Sequence, residues 1–230
     1  MVEQQTETGE PHGDAELEGL ATGVELTLAS VLQGIAMAIL IPRVADLIAR
    51  GEVAKLPYIP ASLLLVFIVW VAFVAHSFSF ISWPFDLAHN LLYFLVVTGE
   101  TVLLTFLDQP GPWFLSLAGF ALVLAINHWY NLRLLRRYEP RYRTRAGRAL
   151  YDHIAYEQRT SLGFMAGYIL VGLFCFGVLS LQPEFGLPPE PGWVVAGLVA
   201  VLLPAVHVVW QFRLVAERSK LIEQSNRAAE

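Results

Sequence analysis

The stretch YIPASLLLVFIVWVAFVAHSFSFISWPFDLAHNLLYFLVVTGETVLLTFLD, from Tyr58 to Asp108, holds two long apolar runs separated by Ile81-Ser-Trp-Pro-Phe-Asp86. Crossing the hydrocarbon of a bilayer takes about 20 consecutive apolar residues in a helix, and each run reaches that length. Lipid offers no hydrogen bonds, so a spanning segment has to satisfy its own backbone, and an open sheet cannot. The stretch therefore predicts a helical membrane hairpin. Its polar residues are few: His76 near the end of the first run, His89 and Asn90 near the start of the second, and Glu100 well inside it. Polar groups are costly at that depth, which makes them the first candidates for function.

The rest of the chain extends this reading. Of 230 residues, 56% are hydrophobic and 15% charged, and the mean hydropathy is +0.54. This composition predicts an all-α, polytopic membrane protein. Six spans are expected, at roughly 20–42, 58–81, 86–107, 112–130, 161–181 and 192–212. They make a transmembrane domain over 20–212, interrupted by a basic loop at 131–160 and followed by a tail at 213–230. The first 19 residues carry Glu3, Glu7, Glu10, Asp14, Glu16 and Glu18 with no Lys or Arg, which predicts a disordered acidic tail and not the basic, apolar pattern of a signal peptide. After Pro42, the segment Arg43 to Arg50 reads as an amphipathic piece at the interface. Pro204 is expected to kink the sixth span. Trp83, Trp113, Trp129, Trp193 and Trp210 read as interfacial anchors.

Twelve of the fifteen basic residues fall in the 131–160 loop, near its ends, or after the sixth span; Arg43, Arg50 and Lys55 make up the remainder. The positive-inside rule then puts both termini in the cytoplasm of a cell-membrane protein. The loop arginines suit anionic lipid headgroups, and no nucleic-acid-binding motif accompanies them. The single cysteine, Cys175, excludes an intrachain disulfide, a cysteine-based zinc site and an iron–sulfur cluster.

Three sets of residues could carry chemistry. Glu25 and His76 count to similar depths from the cytoplasmic surface and could pair, with Ser30 and Gln33 extending the network. Glu100, among Thr98, Thr101 and Thr105, should face a protein interior or a watery path. The histidines gather toward the cytoplasmic side, which suits interfacial imidazoles, a proton-sensitive network, or haem ligation by two histidines on facing helices. No metal motif, phosphate loop or nucleophile–base pattern is present, so neither a catalytic residue nor a bound cofactor is expected.

The run Val71-Ala-Phe-Val-Ala-His-Ser-Phe-Ser-Phe80, with Asp86 and Asn90 opening the next span, resembles the second and third helices of the six-helix, FSD-motif potassium channels of lysosomes and prokaryotes. His76 and Phe80 match the His and the Phe four residues on; Asp86 and Asn90 match the Asp and Asn of the third helix. Six spans, cytoplasmic termini and a basic linker after the fourth agree as well. The helix-one motif, an Arg followed after three residues by Phe-Ser-Asp, is replaced here by Glu25 and Ala29-Ser30-Val31, keeping only the serine. The resemblance implies a homotetramer whose first helices line a pore for a monovalent cation, potassium in the family. By position, Leu32, Ile35 and Ile39 would form an apolar constriction, since their three- and four-residue spacing sets them on one helix face. Small residues on the same helix, including Gly34, Ala36 and Ala38, allow close helix approach.

The expected function is accordingly an oligomeric ion channel or channel-like protein. The alternatives are a non-conducting membrane scaffold or partner-binding subunit, and a haem-bearing membrane oxidoreductase.

Overall fold

The computed structural model describes residues 12–80, 87–141, 145–181 and 188–227. Six long helices make up the fold: α1 (His12–Ala49), α2 (Tyr58–Phe80), α3 (Leu87–Thr105), α4 (Pro110–Tyr138), α5 (Arg145–Leu181) and α6 (Pro189–Arg227), with short 3-10 turns at Val53–Lys55 and Glu139–Arg141. There is no strand among the described residues. Five helices carry stretches long and apolar enough to cross a membrane, and α3 contributes a shorter apolar stretch, Leu91–Thr105.

The helices are longer than the expected spans, for local reasons. α1 continues through Pro42 to Ala49. A proline removes only one rung of the helical ladder, and Leu47 beyond it is fully buried in the core, which rewards continuation. The interfacial piece expected at 43–50 is thus the end of α1. The helix stops at Gly51, whose φ of +66° is open to glycine at little cost. There Gly51 N–H donates to Ile48 at 3.1 Å and Glu52 N–H to Leu47 at 3.2 Å, the paired bonds of a Schellman cap.

At the other end, α1 already includes residues from His12 onward, within the tail expected to be disordered; residues 1–11 lie outside the described residues. Most of the expected basic loop at 131–160 is helix as well. Leu135 of α4 packs with Tyr151, Ile154 and Ala155 of α5, so the two helices form a hairpin that extends past the expected spans. The apolar stripe at Tyr151, Ile154 and Ala155 has the spacing of one helix face and explains why this stretch does not loop out.

Packing runs from α1 to α2, α6, α5, α4, α3 and back to α1, a closed circuit. Side-chain registers give the directions. α4 and α5 are antiparallel, with Gln158 opposite His128 and Gly172 opposite Phe114. A Cβ on Gly172 would sit 2.7 Å from the Phe114 carbonyl oxygen and 3.0 Å from Ala118 Cβ, so only glycine permits this approach. α6 is antiparallel to α5, pairing Tyr168 with His207 and Glu157 with Arg218. It is parallel to α2, where Gln211 reaches the Ile68 carbonyl and Arg218 the Ala75 carbonyl. Consecutive helices therefore alternate in direction.

The main core fills the centre of this circuit. Trp113, expected at an interface, is fully buried instead. Its ring meets Tyr58 edge-on at 5.3 Å, and its indole N–H donates to Ser62 at 3.2 Å. The buried serine supplies the acceptor that a buried tryptophan needs. Charges gather at the two ends of the bundle. Arg50 meets Asp46, Glu52 and Asp108 at one end, and Arg148 meets Glu139 and Asp152 at the other. Between them the outer surface is apolar, with Leu170, Phe174, Leu202 and Val206 among its exposed side chains.

Candidate functional site

Two groups of buried polar side chains interrupt the apolar interior. The smaller joins α1 and α3. Glu100 is fully buried, and the polar side chain facing it is Gln33, itself buried. The Glu100 carboxyl and the Gln33 amide interact with each other and have no other polar partner among the described residues. α1 and α3 also meet through Arg50 and Asp108. The order of the two contacts, Gln33 with Glu100 and Arg50 with Asp108, sets α1 and α3 running in the same direction.

The larger group lies where α2, α4, α5 and α6 converge. On α6, His207, Gln211 and Arg218 share one face at spacings of four and seven. On α5, Glu157, Gln158, Ser161 and Tyr168 do the same. On α4, Asn127 and Asn131 lie one turn apart beside His128. Arg218 and Glu157 form a buried ion pair, and the Arg218 guanidinium also donates to the Ala75 carbonyl at 2.8 Å. His128 Nδ1 lies 2.8 Å from Gln158 Oε1. His207 Nδ1 lies 3.2 Å from the Tyr168 hydroxyl, and its ring stacks on Phe164 at 4.2 Å.

A cavity of about 40 Å³ opens inside this group. Tyr93, Phe73 and Val96 form its apolar side, and Asn127, His128, Asn131, Glu157, Gln158 and Arg218 its polar side. The carboxamide oxygens of Asn127 and Asn131 are buried without a hydrogen-bond partner. A buried acceptor left unpaired costs about 1–3 kcal/mol, and both residues that carry one here line the same cavity.

The expected site residues distribute unevenly over this framework. Gln33 and Glu100 come together, although Gln33 was expected beside Glu25 and His76. The side chains of Glu25, His76 and Asn90 lie outside the described residues, as does the turn from Ile81 to Asp86. Ser30 is on the exposed side of α1. Of the three apolar pore candidates, Ile35 is 45% exposed. Leu32 packs against the cluster of Val69, Phe73 and Phe120, and Ile39 packs against the main core. The three still share one side of α1, with Leu32 and Ile39 turned toward neighbouring helices and Ile35 toward the surface.

Asn127, Asn131, Glu157, Gln158, Gln211 and Arg218 were not singled out from the sequence. Their signal was the three- and four-residue spacing of polar groups on α4, α5 and α6. Glu157 and Arg218 were hidden among charges assigned to a loop and a tail. For a haem, His128 and His207 are already engaged by Gln158, Tyr168 and Phe164, and the cavity is far smaller than a porphyrin. Among the described residues no group of three His, Cys, Asp or Glu side chains is placed to hold a metal ion. No family model, curated protein or solved structure matches this chain.

Proposed function

We propose that this chain is an integral membrane protein of six transmembrane helices that passes a monovalent ion, a channel or channel-like protein of the cell membrane with both termini in the cytoplasm. The observation that carries the reading is Glu100 and Gln33, buried against each other with no other polar partner among the described residues. A carboxyl and an amide are costly to bury there even when they face each other, and in a membrane bundle such groups mark ion and proton pathways. The gathering of basic residues at one end of the bundle supports the orientation.

The outward face of α1 supports assembly of several copies. Val31, Gly34, Ile35 and Ala38 are exposed along it, and the small residues permit close contact with another helix. In such an assembly Ile35 meets its copies and forms the apolar constriction.

Ion flux into liposomes tests the proposal. Ile35→Asn raises flux by wetting the constriction, and Glu100→Leu lowers flux while raising the thermal midpoint, because a costly buried group is gone. Flux at the level of empty liposomes in the wild type and in Ile35→Asn favours the scaffold reading. A Glu100→Leu variant that is less stable than the wild type makes Glu100 structural.

A further inference from the structure

We propose that the cavity among α2, α3, α4, α5 and α6 binds a monovalent cation, with the carboxamide oxygens of Asn127 and Asn131 as ligands and water completing its shell. The two residues are one turn apart on α4, so their side chains address the same volume. Both are buried, both line the cavity, and both carry an oxygen with no protein partner. Rotation about χ2 exchanges the two ends of each carboxamide, so the oxygen can be turned fully toward an occupant.

The chemistry of the wall selects the class of occupant. The unpartnered carboxamide oxygens are acceptors, which suit a cation, and both terminal nitrogens of the Arg218 guanidinium are engaged, one by Glu157 and one by the Ala75 carbonyl. Calcium and magnesium sites add carboxylate charge to their carbonyl and water ligands; the single carboxylate on the wall, Glu157, is already neutralised by Arg218. Transition metals take imidazole or thiolate, and His128 is the one such side chain here. Neutral oxygens around a small, net-uncharged chamber suit an alkali cation, as carbonyl oxygens do in selectivity filters. The volume of about 40 Å³ exceeds the roughly 10–15 Å³ that one water requires, leaving room for an ion with part of its hydration.

The inference rests on the ion-handling reading for its purpose, but binding and flux are separate measurements. Thermal unfolding of the full chain in detergent is followed in potassium chloride and in N-methyl-D-glucamine chloride at equal ionic strength. Potassium raises the wild-type midpoint in a saturable way. In Asn131→Leu the potassium-dependent rise is lost, and the midpoint in N-methyl-D-glucamine stays at or above that of the wild type, since an unpaired acceptor has been removed. Equal wild-type midpoints in the two salts overturn the proposal and leave a cavity holding water. So does an Asn131→Leu variant that is destabilised in both salts while keeping its full response to potassium.

If Asn131→Leu does not fold, Asn127→Asp decides. A carboxylate at that position lowers the half-saturating potassium concentration about tenfold, equivalent to about 1.4 kcal/mol. An unchanged value refutes the site. Potassium binding without flux would remove the conduction reading and leave the site standing.

Discussion

Replacing Arg218 by leucine should destabilise the protein far more than replacing Arg218 and Glu157 together. Arg218 is 5% exposed and Glu157 8%, so neither charge is relieved by water. Arg218→Leu leaves Glu157 as a buried carboxylate without its counter-ion and strips the Ala75 carbonyl of a donor. Removing one partner of a buried pair costs about 3–5 kcal/mol. The lost hydrogen bond adds about 1 kcal/mol, since the Ala75 carbonyl can still accept within its own helix. In Glu157→Leu/Arg218→Leu the uncompensated charge is absent, and the net cost falls to about 1–2 kcal/mol, because well-packed apolar residues replace a buried ion pair at little loss. The cycle closed by Glu157→Leu should therefore give a coupling energy of at least about 2 kcal/mol. Equilibrium unfolding in mixed micelles supplies the four free energies. Single-variant costs that simply add in the double variant would refute the reasoning, and so would an Arg218→Leu cost under about 1 kcal/mol, the level of an exposed ion pair.

Two further outcomes follow from packing and topology. Gly172→Ala places a methyl group 2.7 Å from the Phe114 carbonyl oxygen; overpacking of this kind costs about 1–3 kcal/mol, read as a lowered unfolding midpoint, whereas Gly163→Ala, where a Cβ meets nothing within 4 Å, leaves it unchanged or higher. Single cysteines at Val53 and Arg136, both exposed and at opposite ends of the bundle, should react with an impermeant thiol reagent from opposite sides of a sealed vesicle; reaction from one side alone would overturn the proposed topology.

The helices were legible because the apolar runs are long, and a helix satisfies the backbone of such a run from within. Their ends were less so. Pro42 reads as a stop in isolation, yet buried Leu47 lies beyond it and carries α1 on to Gly51. The helical hairpin past residue 131 was obscured by its arginines, which suggest a loop, while its cohesion comes from the sparser stripe at Tyr151, Ile154 and Ala155. For the site, depth along a helix singled out Glu100 but could not choose its partner. Gln33 meets it because α1 packs against α3, a pairing that no residue count contains. Asn127 and Asn131 share a wall with Glu157 and Arg218 only after α4, α5 and α6 are set side by side. Trp113 was misplaced because tryptophan is common at interfaces, and Ser62, which satisfies its indole, lies on another helix.

The two hydrogen bonds from α6 to α2 lie one heptad apart on both helices: Gln211 and Arg218 on one, Ile68 and Ala75 on the other. Two parallel helices matched at two such points are fixed in stagger as well as in contact. Sliding α6 by a single residue would shift it by about 1.5 Å and turn its donors by about 100° away from the carbonyls they serve. An insertion of one residue between Gln211 and Arg218, or between Ile68 and Ala75, would therefore keep one bond only by abandoning the other. Toward its other end the same pair is tied again, by the Tyr58 hydroxyl donating to the Trp193 carbonyl at 3.0 Å, so motion of the α2–α6 pair is that of one rigid beam.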